Sequence, residues 1–452
     1  MGFEDIGPPP NPGGQPQESP YSSAGYPPSY GYNGYGYHPP IPTTYPGYGG
    51  SWPPYSPYPM GPPSFRRDGY QFSVAIISAI CSAFVILAGI FCSLMLLFLA
   101  VIPSIFSQAQ PKERFSATVA YTMLTIVGLI GGSSSLYHSI RALSRKRSAP
   151  CKLPWSWLFL SFYVILLAVG FTIGSTAQVL ANQPLTISLI VLTGVLPALT
   201  FLALAVRRVH YPEKAPWPTS WRRFTLAIVS GGTLTVLLAV IFELFLTRIE
   251  GKAFGVHTSI IGNINMQIPH NAQELCFLIV LVSVIAPIIE ESIKPLAVQI
   301  VLGRLRSAAE AFVLGFACGI GFDLIETSGY ISLGDSHPWV DTALERSTAG
   351  LLHGFGAGMV ALGCYYLTHR NSINRRILIG IGCIAYAIIQ HAIWNSTFLL
   401  GLLPGPVGLF FANGTIWINS YAMQGIVVAY LVESLLIFAC FLFVTGKLRS
   451  QS

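Results

Sequence analysis

Residues 276–302 read CFLIVLVSVIAPIIEESIKPLAVQIVL, an apolar run interrupted by two acids and a lysine. The run exceeds the ~20 residues that a helix needs to span a bilayer. Glu290, Glu291 and Lys294 lie near its middle, where an ionised side chain costs about 2.5 to 3.5 kcal/mol on insertion scales. Such residues usually pair with one another, line a water-filled cavity or carry a function. The segment therefore predicts a membrane-spanning helix that holds part of a functional site.

The composition of the whole chain indicates the same class of protein. Of its 452 residues, 52% are hydrophobic and only 10% are charged, and the mean hydropathy is +0.58. These values are typical of a polytopic membrane protein and exclude an ordinary soluble domain. We predict an all-α, multi-pass protein of the cell membrane with about ten transmembrane helices, near residues 71–102, 116–140, 154–181, 185–206, 224–247, 276–302, 309–331, 347–368, 377–400 and 421–446.

Three regions follow from the composition along the chain. Residues 1–65 are rich in Pro, Tyr, Gly and Ser and contain almost no aliphatic residues with which to build a core, so we predict a disordered cytoplasmic tail. Residues 66–270 hold about five transmembrane helices and an outer loop. Residues 271–452 hold about five more, and they contain most of the polar residues at membrane depth.

The distribution of basic residues predicts the orientation in the membrane. Lys and Arg concentrate in alternate loops, as in 141–152, 207–223 and 370–376, and they also follow the last helix. By the positive-inside rule these loops and both termini are cytoplasmic. The same distribution explains the net charge of +7 without nucleic acid, so no nucleic-acid partner is predicted.

Polar residues recur on the three helices that follow Lys294. Glu326, His353 and His391 each lie within or close to an apolar run, and this topology gives them and the acidic pair similar depths in the outer half of the membrane. His391 and Asn395 are separated by four residues and share a helix face, as do Glu290 and Lys294. Four helices are therefore predicted to converge on one polar pocket. The supporting residues are Lys294, which can pair with an acid, and Arg346, which lies two turns before His353 on a similar face.

Four segments on successive helices resemble, in order, the motifs of the PrsW family of intramembrane proteases. They are EESIK (290–294), GFACGIGFDLIET (315–327), RSTAGLLHGFGAGMVALG (346–363) and HAIWN (391–395). The resemblance implies that residues 271–452 form the core of a peptidase that cleaves membrane-anchored substrates, as in site-one cleavage of an anti-sigma factor. In the related CAAX prenyl endopeptidase and bacteriocin-processing group the second motif usually ends in His, whereas this chain has Glu326. The predicted outer pocket suits a cut near the extracytoplasmic face of a single-span substrate.

Two mechanisms stay open from the residues. In a glutamate mechanism, Glu290 or Glu291 takes a proton from the attacking water while histidine and Asn395 orient that water and hold the oxyanion. In a metal mechanism, His353, His391 and a glutamate such as Glu326 bind Zn²⁺. The family is often labelled a metalloprotease, but the helical HExxH pattern of zincins is missing, which favours the glutamate mechanism. The cofactor prediction is accordingly none or zinc.

Two other function classes remain alternatives. A proton-coupled transporter would also use intramembrane Glu, Lys and His, but it should show inverted repeats, whereas the polar residues here concentrate in the second half. An inactive relative that binds membrane clients would be expected to lack a motif residue, and all four motifs are intact. Glu243, on the predicted fifth helix, is interpreted as lying away from the cluster, so a packing, interface or secondary role is favoured over catalysis. Neither the client nor the oligomeric state follows from the sequence.

Overall fold

The computed structural model describes residues 69–101, 111–173, 183–210, 217–256, 269, 271–333, 343–344, 346–369, 373–418 and 421–451. The predicted disordered tail, residues 1–65, lies outside this part of the chain. Within it the structure is a helical bundle with a single small hairpin.

The bundle is built from eleven described helices. They are α1 (Gly69–Val101), α2 (Pro111–Ile126 and Gly132–Leu143), α3 (Ser156–Ile173), α4 (Gln183–Val209), α5 (Trp221–Ser230 and Val236–Phe254), α6 (Ala272–Val280, Ala286–Ile293 and Leu296–Val301), α7 (Ala308–Leu333), α8 (Ala349–Thr368), α9 (Ile373–Ser396), α10 (Gly405–Asn413) and α11 (Gly425–Gln451). The breaks inside α2, α5 and the first part of α6 are π-helical turns, at Val127–Gly131, Gly231–Thr235 and Leu281–Ile285. Short 3₁₀ turns follow α6 and α9 and precede α8, at Leu302–Arg304, Thr397–Leu402 and Arg346–Thr348.

The long helices confirm the all-α class and the multi-pass architecture. Among the described residues, nine helical spans are long and apolar enough to cross a membrane. A tenth apolar stretch, Ser156–Gly170 in α3, is shorter. It corresponds to the predicted helix 154–181, of which the described part ends at residue 173. The ten predicted segments thus each coincide with a helix, although one of them is described only over part of its predicted length.

The centre of the bundle is formed by α7 and α8, which are the most buried spans. Four phenylalanines tie these two helices to α11, with ring centroids 5.8 to 6.1 Å apart around the group Phe312, Phe316, Phe355 and Phe441. The core also takes in residues of α4 and α5, so helices from both predicted transmembrane regions share it. By contrast, α1 exposes large apolar side chains such as Phe84 and Phe91, as expected of a helix that faces lipid.

A glycine sets the contact between α7 and α8. A Cβ atom on Gly319 would lie 2.0 Å from the backbone carbonyl oxygen of His353, so no larger residue fits at this crossing. Glycines that allow two helix backbones to approach closely are typical of membrane bundles. The close approach fixes the level of His353 on α8 against α7, the helix that carries Glu326.

The helix α6 is irregular on both sides of its acidic pair. The π turn Leu281–Ile285 comes just before Pro287, and a turn at Lys294 and Pro295 comes just after the pair. Proline has no backbone N–H, so each proline leaves a carbonyl one turn earlier without its usual helical partner. The irregularities of α6 therefore coincide with its two prolines.

Two elements after α9 were not predicted. The short helix α10 is followed by an antiparallel hairpin of β1 (Thr415–Ile418) and β2 (Tyr421–Gln424), in which Thr415 pairs with Gln424 and Ile416 with Met423. The hairpin leads directly into α11. Both elements lie between spans and leave the helical class unchanged.

Candidate active site

Lys294 is the centre of a buried polar cluster. Its Nζ atom lies 2.8 Å from Oε2 of Glu290, 2.7 Å from Oε1 of Glu291 and 2.7 Å from Nδ1 of His353. The lysine side chain has no exposed surface. An ammonium group donates hydrogen bonds and accepts none, and here it donates to Glu291 and His353 while its contact with Glu290 is an ion pair without an aligned hydrogen bond. The ring of Phe322 on α7 lies 4.5 Å from Nζ and adds a cation–π contact.

The contact with Lys294 determines the tautomer of His353. Because the ammonium can only donate, Nδ1 of His353 accepts, and the neutral ring then carries its proton on Nε2. This Nε2 atom lies 2.9 Å from Oε2 of Glu326, but the two atoms are not aligned as a hydrogen bond. Glu326 is also paired with Arg346, whose Nη2 is 3.1 Å from its Oε1. The ring N–H of His353 therefore faces a carboxylate without being fully engaged by it.

His391 is oriented by Glu291. Its Nδ1 atom lies 2.9 Å from Oε1 of Glu291, a carboxylate with no exposed surface. An ionised carboxylate only accepts hydrogen bonds, so Nδ1 carries the ring proton and Nε2 of the neutral ring keeps its lone pair. A carboxylate that fixes the tautomer of a histidine in this way is common at hydrolytic and metal sites. Nε2 of His391 is 3.8 Å from Oε2 of Glu290.

The two acids of α6 occupy different environments. Glu291 is fully enclosed between Lys294 and His391, whereas the Glu290 side chain keeps 11% of its surface exposed. Space for Glu291 depends on Gly356 of α8, because a Cβ atom there would lie 2.6 Å from its Oε2. Glu291 is therefore placed to orient its neighbours, and Glu290 is the acid that a reactant can approach.

One group of residues could hold a metal ion. In the described part of the chain, ligand atoms of Glu290, His353 and His391 all lie within 4.8 Å of one another. Two histidines and a glutamate are a donor set found at catalytic zinc sites, so the residue types fit. The sequence suggested Glu326 as the acidic ligand, but Glu290 takes that place in the cluster, and Glu326 is paired with Arg346 and His353 instead.

Asn395 makes a contact that the sequence did not predict. Its side-chain nitrogen donates to the backbone carbonyl of Val282, at 2.9 Å, within the π turn of α6. Backbone groups released by a helix irregularity need such partners inside a membrane. This hydrogen bond holds α9 against α6. It uses the amide nitrogen of Asn395 and does not involve the charged cluster.

Sequence reasoning missed Glu243. The structure places its carboxyl group on α5 within electrostatic range of Glu290, Lys294 and Glu326. The interpretation of Glu243 as a residue away from the cluster is wrong. The available signal was its position as an ionisable residue in an apolar run, the same signal that singled out Glu290. The sequence gives no information on which side of α5 meets α6.

A multi-pass helical bundle with a buried cluster of carboxylates and histidines is the arrangement expected of an intramembrane protease. The comparison with protein families supports this class, because the model of the PrsW family intramembrane metalloproteases matches residues 219–429. The matched segment is just under half of the chain and carries all four motifs, so it supports assignment to the PrsW family, whose members are peptidases that act within membranes. The comparisons with curated proteins and with solved structures gave no match. The matched segment begins before residue 271, where the protease core was predicted to start, and it includes Glu243.

Proposed function

We propose that this protease cleaves single-span membrane proteins near the extracytoplasmic face of the membrane, with membrane-anchored anti-sigma factors as one substrate class. The charge of the loops supports cytoplasmic termini, and this topology puts the cluster in the outer half of the bilayer. A first cut at that depth would leave a shortened anchor for a second intramembrane protease.

The observation that carries the catalytic assignment is the 3.8 Å separation between Oε2 of Glu290 and Nε2 of His391. The distance is too long for a direct hydrogen bond and short enough for one water molecule to contact both atoms. The other groups around this gap are held in place, since Glu291 orients His391 and Lys294 holds Glu290. We assign Glu290 as the general base and His391 as the group that orients the water.

Hydrolysis then proceeds by proton transfers that balance. Glu290 takes a proton from water as the water oxygen attacks the scissile carbonyl carbon, and the carbonyl oxygen becomes an oxyanion. The Nε2–H group of His353 is the donor assigned to that oxyanion, since no aligned hydrogen bond engages it. The carbon–nitrogen bond breaks as Glu290 passes its proton to the leaving amine, which restores the carboxylate.

The metal mechanism is the alternative, and it would use the same residues differently. Glu290, His353 and His391 would hold Zn²⁺, which when bound acidifies water and polarises the carbonyl. A metal on Nδ1 of His353 would displace Lys294, which now donates to that atom. A metal on Nε2 would require the ring proton to be on Nδ1, and Nδ1 could then no longer accept the hydrogen bond from Lys294. Metal binding through His353 and the present position of Lys294 therefore exclude each other.

The test is cleavage of co-expressed single-span membrane proteins that carry a tag at each end, with anti-sigma factors among them. Wild type is compared with Glu290→Gln, Glu326→Gln, His353→Ala and His391→Ala at matched membrane levels, with and without a chelator. Glu433→Gln is the matched control, because this partly buried acid of α11 contacts Thr397 outside the cluster. We expect wild type and the control to release a product and the four variants to lose it. Equal cleavage by the variants would reject the assignment and favour transport or client binding.

A further inference from the structure

Three polar residues form one face of α5. Glu243, Thr247 and Glu250 are spaced i, i+4 and i+7, which places them within about 60° around the helix. Ala239 and Leu246, which share this side of the helix, pack in the cluster that joins α5 to α6 and α7. The opposite side carries Leu244 and Phe245, which are both exposed, as expected of side chains that face lipid.

The inner end of this face is at the candidate active site. The second part of α5, which carries Glu243, packs against the part of α6 that carries Glu290, and the two carboxyl groups interact electrostatically. Oε1 of Glu243 is buried without a hydrogen-bond partner among the described residues. The Glu243 end of this face therefore lies near Glu290, the residue that takes a proton from water in the proposed mechanism.

The outer end of the face is Glu250. This residue is only 6% exposed, and neither of its carboxylate oxygens has a hydrogen-bond partner in the described part of the chain. Burial of a carboxyl group without a partner is costly, and such groups are ordinarily satisfied by internal water. Glu250 lies about 10 Å along the axis from Glu243, at 1.5 Å per residue, and α5 ends four residues later at Phe254.

The part of α6 that packs against α5 also contains a buried polar group without a hydrogen bond. The π turn Leu281–Ile285 packs against α5, and within it Ser283 is buried with a hydroxyl group that makes no hydrogen bond to any described residue. Unpaired polar atoms thus occur on both helices of this contact. Thr247 lies between the two acids and is itself buried.

We propose that the Glu243–Thr247–Glu250 face of α5 lines the path by which water reaches Glu290 from the membrane surface where α5 ends. This inference rests on the proposed function, because hydrolysis consumes one water molecule for each bond cut. It gives Glu243 and Glu250 a role in supplying water, and Thr247, which lies between them and is buried, is the position at which a larger side chain should block the path.

Thiol labelling tests the path without any need for a substrate. Single cysteines at Thr247 and Glu250 are introduced into the full chain, and membrane vesicles are treated with a charged, membrane-impermeant methanethiosulfonate. Leu244→Cys and Phe245→Cys are matched controls on the lipid-facing side, and the parent chain gives the background from its own cysteines. Labelling after denaturation shows that each new cysteine is present. We expect the cysteines at 247 and 250 to label and the two controls to stay at background.

A blocking substitution tests the direction of the path. Glu243→Cys should label in the parent chain and lose that labelling when Thr247→Leu is added, whereas Glu250→Cys should label equally with or without Thr247→Leu. Background labelling at both 247 and 250, or labelling at 243 that Thr247→Leu leaves unchanged, would overturn the proposal. Because none of these measurements uses cleavage, a missing path and a missing protease activity give different results.

Discussion

Nζ of Lys294 lies 2.7 Å from Nδ1 of His353, and both side chains are buried. A protein cation thus occupies the middle of a cluster whose residue types would also suit a metal ion. The contact connects α6 with α8 and assigns the proton of the His353 ring to Nε2. The chemistry of this site therefore depends on whether Lys294 keeps its position.

Replacement of Lys294 by Met should destabilise the protein as well as inactivate it. The change leaves the buried carboxylates of Glu290 and Glu291 without their common cation, and removal of one partner of a buried ion pair typically costs about 3 to 5 kcal/mol. We expect a lower thermal unfolding midpoint in detergent and loss of cleavage. Lys447→Met, on the exposed surface near the end of α11, is the control and should change neither. An unchanged midpoint for Lys294→Met would mean that the cluster does not depend on the ammonium.

The same substitution should change the affinity for metal. If Lys294 competes with Zn²⁺ for His353 and Glu290, Lys294→Met should bind zinc more tightly than wild type does. The measurement is zinc content after equilibrium dialysis at fixed free Zn²⁺, with Lys294→Met/His391→Ala as the control that lacks a ligand. Tighter binding by wild type would show that Lys294 does not oppose the metal.

Removal of metal provides a separate prediction. We expect wild-type cleavage to continue after dialysis against a chelator, since the protein's own groups supply the base and the oxyanion donor in the proposed mechanism. The assay is product formation from a tagged single-span substrate, with and without added Zn²⁺. Loss of activity that zinc restores would assign the reaction to the metal mechanism and would require Lys294 to move.

The two adjacent acids should respond differently to the loss of charge. A general base typically contributes about 10² to 10⁴ in rate, so Glu290→Gln should reduce cleavage by roughly that factor. Because the Glu290 side chain keeps 11% of its surface exposed whereas Glu291 keeps none, this variant should lose less stability than Glu291→Gln. Glu291→Gln should lower the unfolding midpoint more, because its fully buried carboxylate holds both Lys294 and His391. Product yield and thermal unfolding are measured for both variants, and the reverse order of stability would contradict the assigned roles.

Gly356 should tolerate no side chain. An added Cβ would lie 2.6 Å from Oε2 of Glu291, and overpacking of this kind typically costs about 1 to 3 kcal/mol. Gly356→Ala should therefore lower the unfolding midpoint and reduce cleavage by displacing Glu291. Gly382→Ala on α9 is the matched control, because its Cβ would meet nothing within 4 Å. Equal unfolding midpoints and equal cleavage by the two variants would show that the side chain of Glu291 can move away from an added Cβ at little cost.

Glu243 and Asn395 show where prediction from sequence reached its limit. Both lie in apolar runs, and the sequence favoured a packing, interface or secondary role for Glu243 and a role in orienting water or holding the oxyanion for Asn395. The structure brings Glu243 to Glu290 and engages the Asn395 nitrogen with the Val282 carbonyl. The direction of a side chain depends on the rotation of each helix about its axis, and the π turns in α5 and α6 change that rotation locally.

The sequence alone determined the helical, multi-pass architecture and the residues of the four motifs. Both are properties of short segments, because a bilayer of fixed thickness requires apolar runs of fixed length and penalises ionised residues within them. Only the tertiary structure decided that His353 of α8 contacts Lys294, and that Glu290 rather than Glu326 joins the two histidines. These contacts join atoms of different helices, and they depend on how closely the helices approach and how each is rotated, which no single segment specifies.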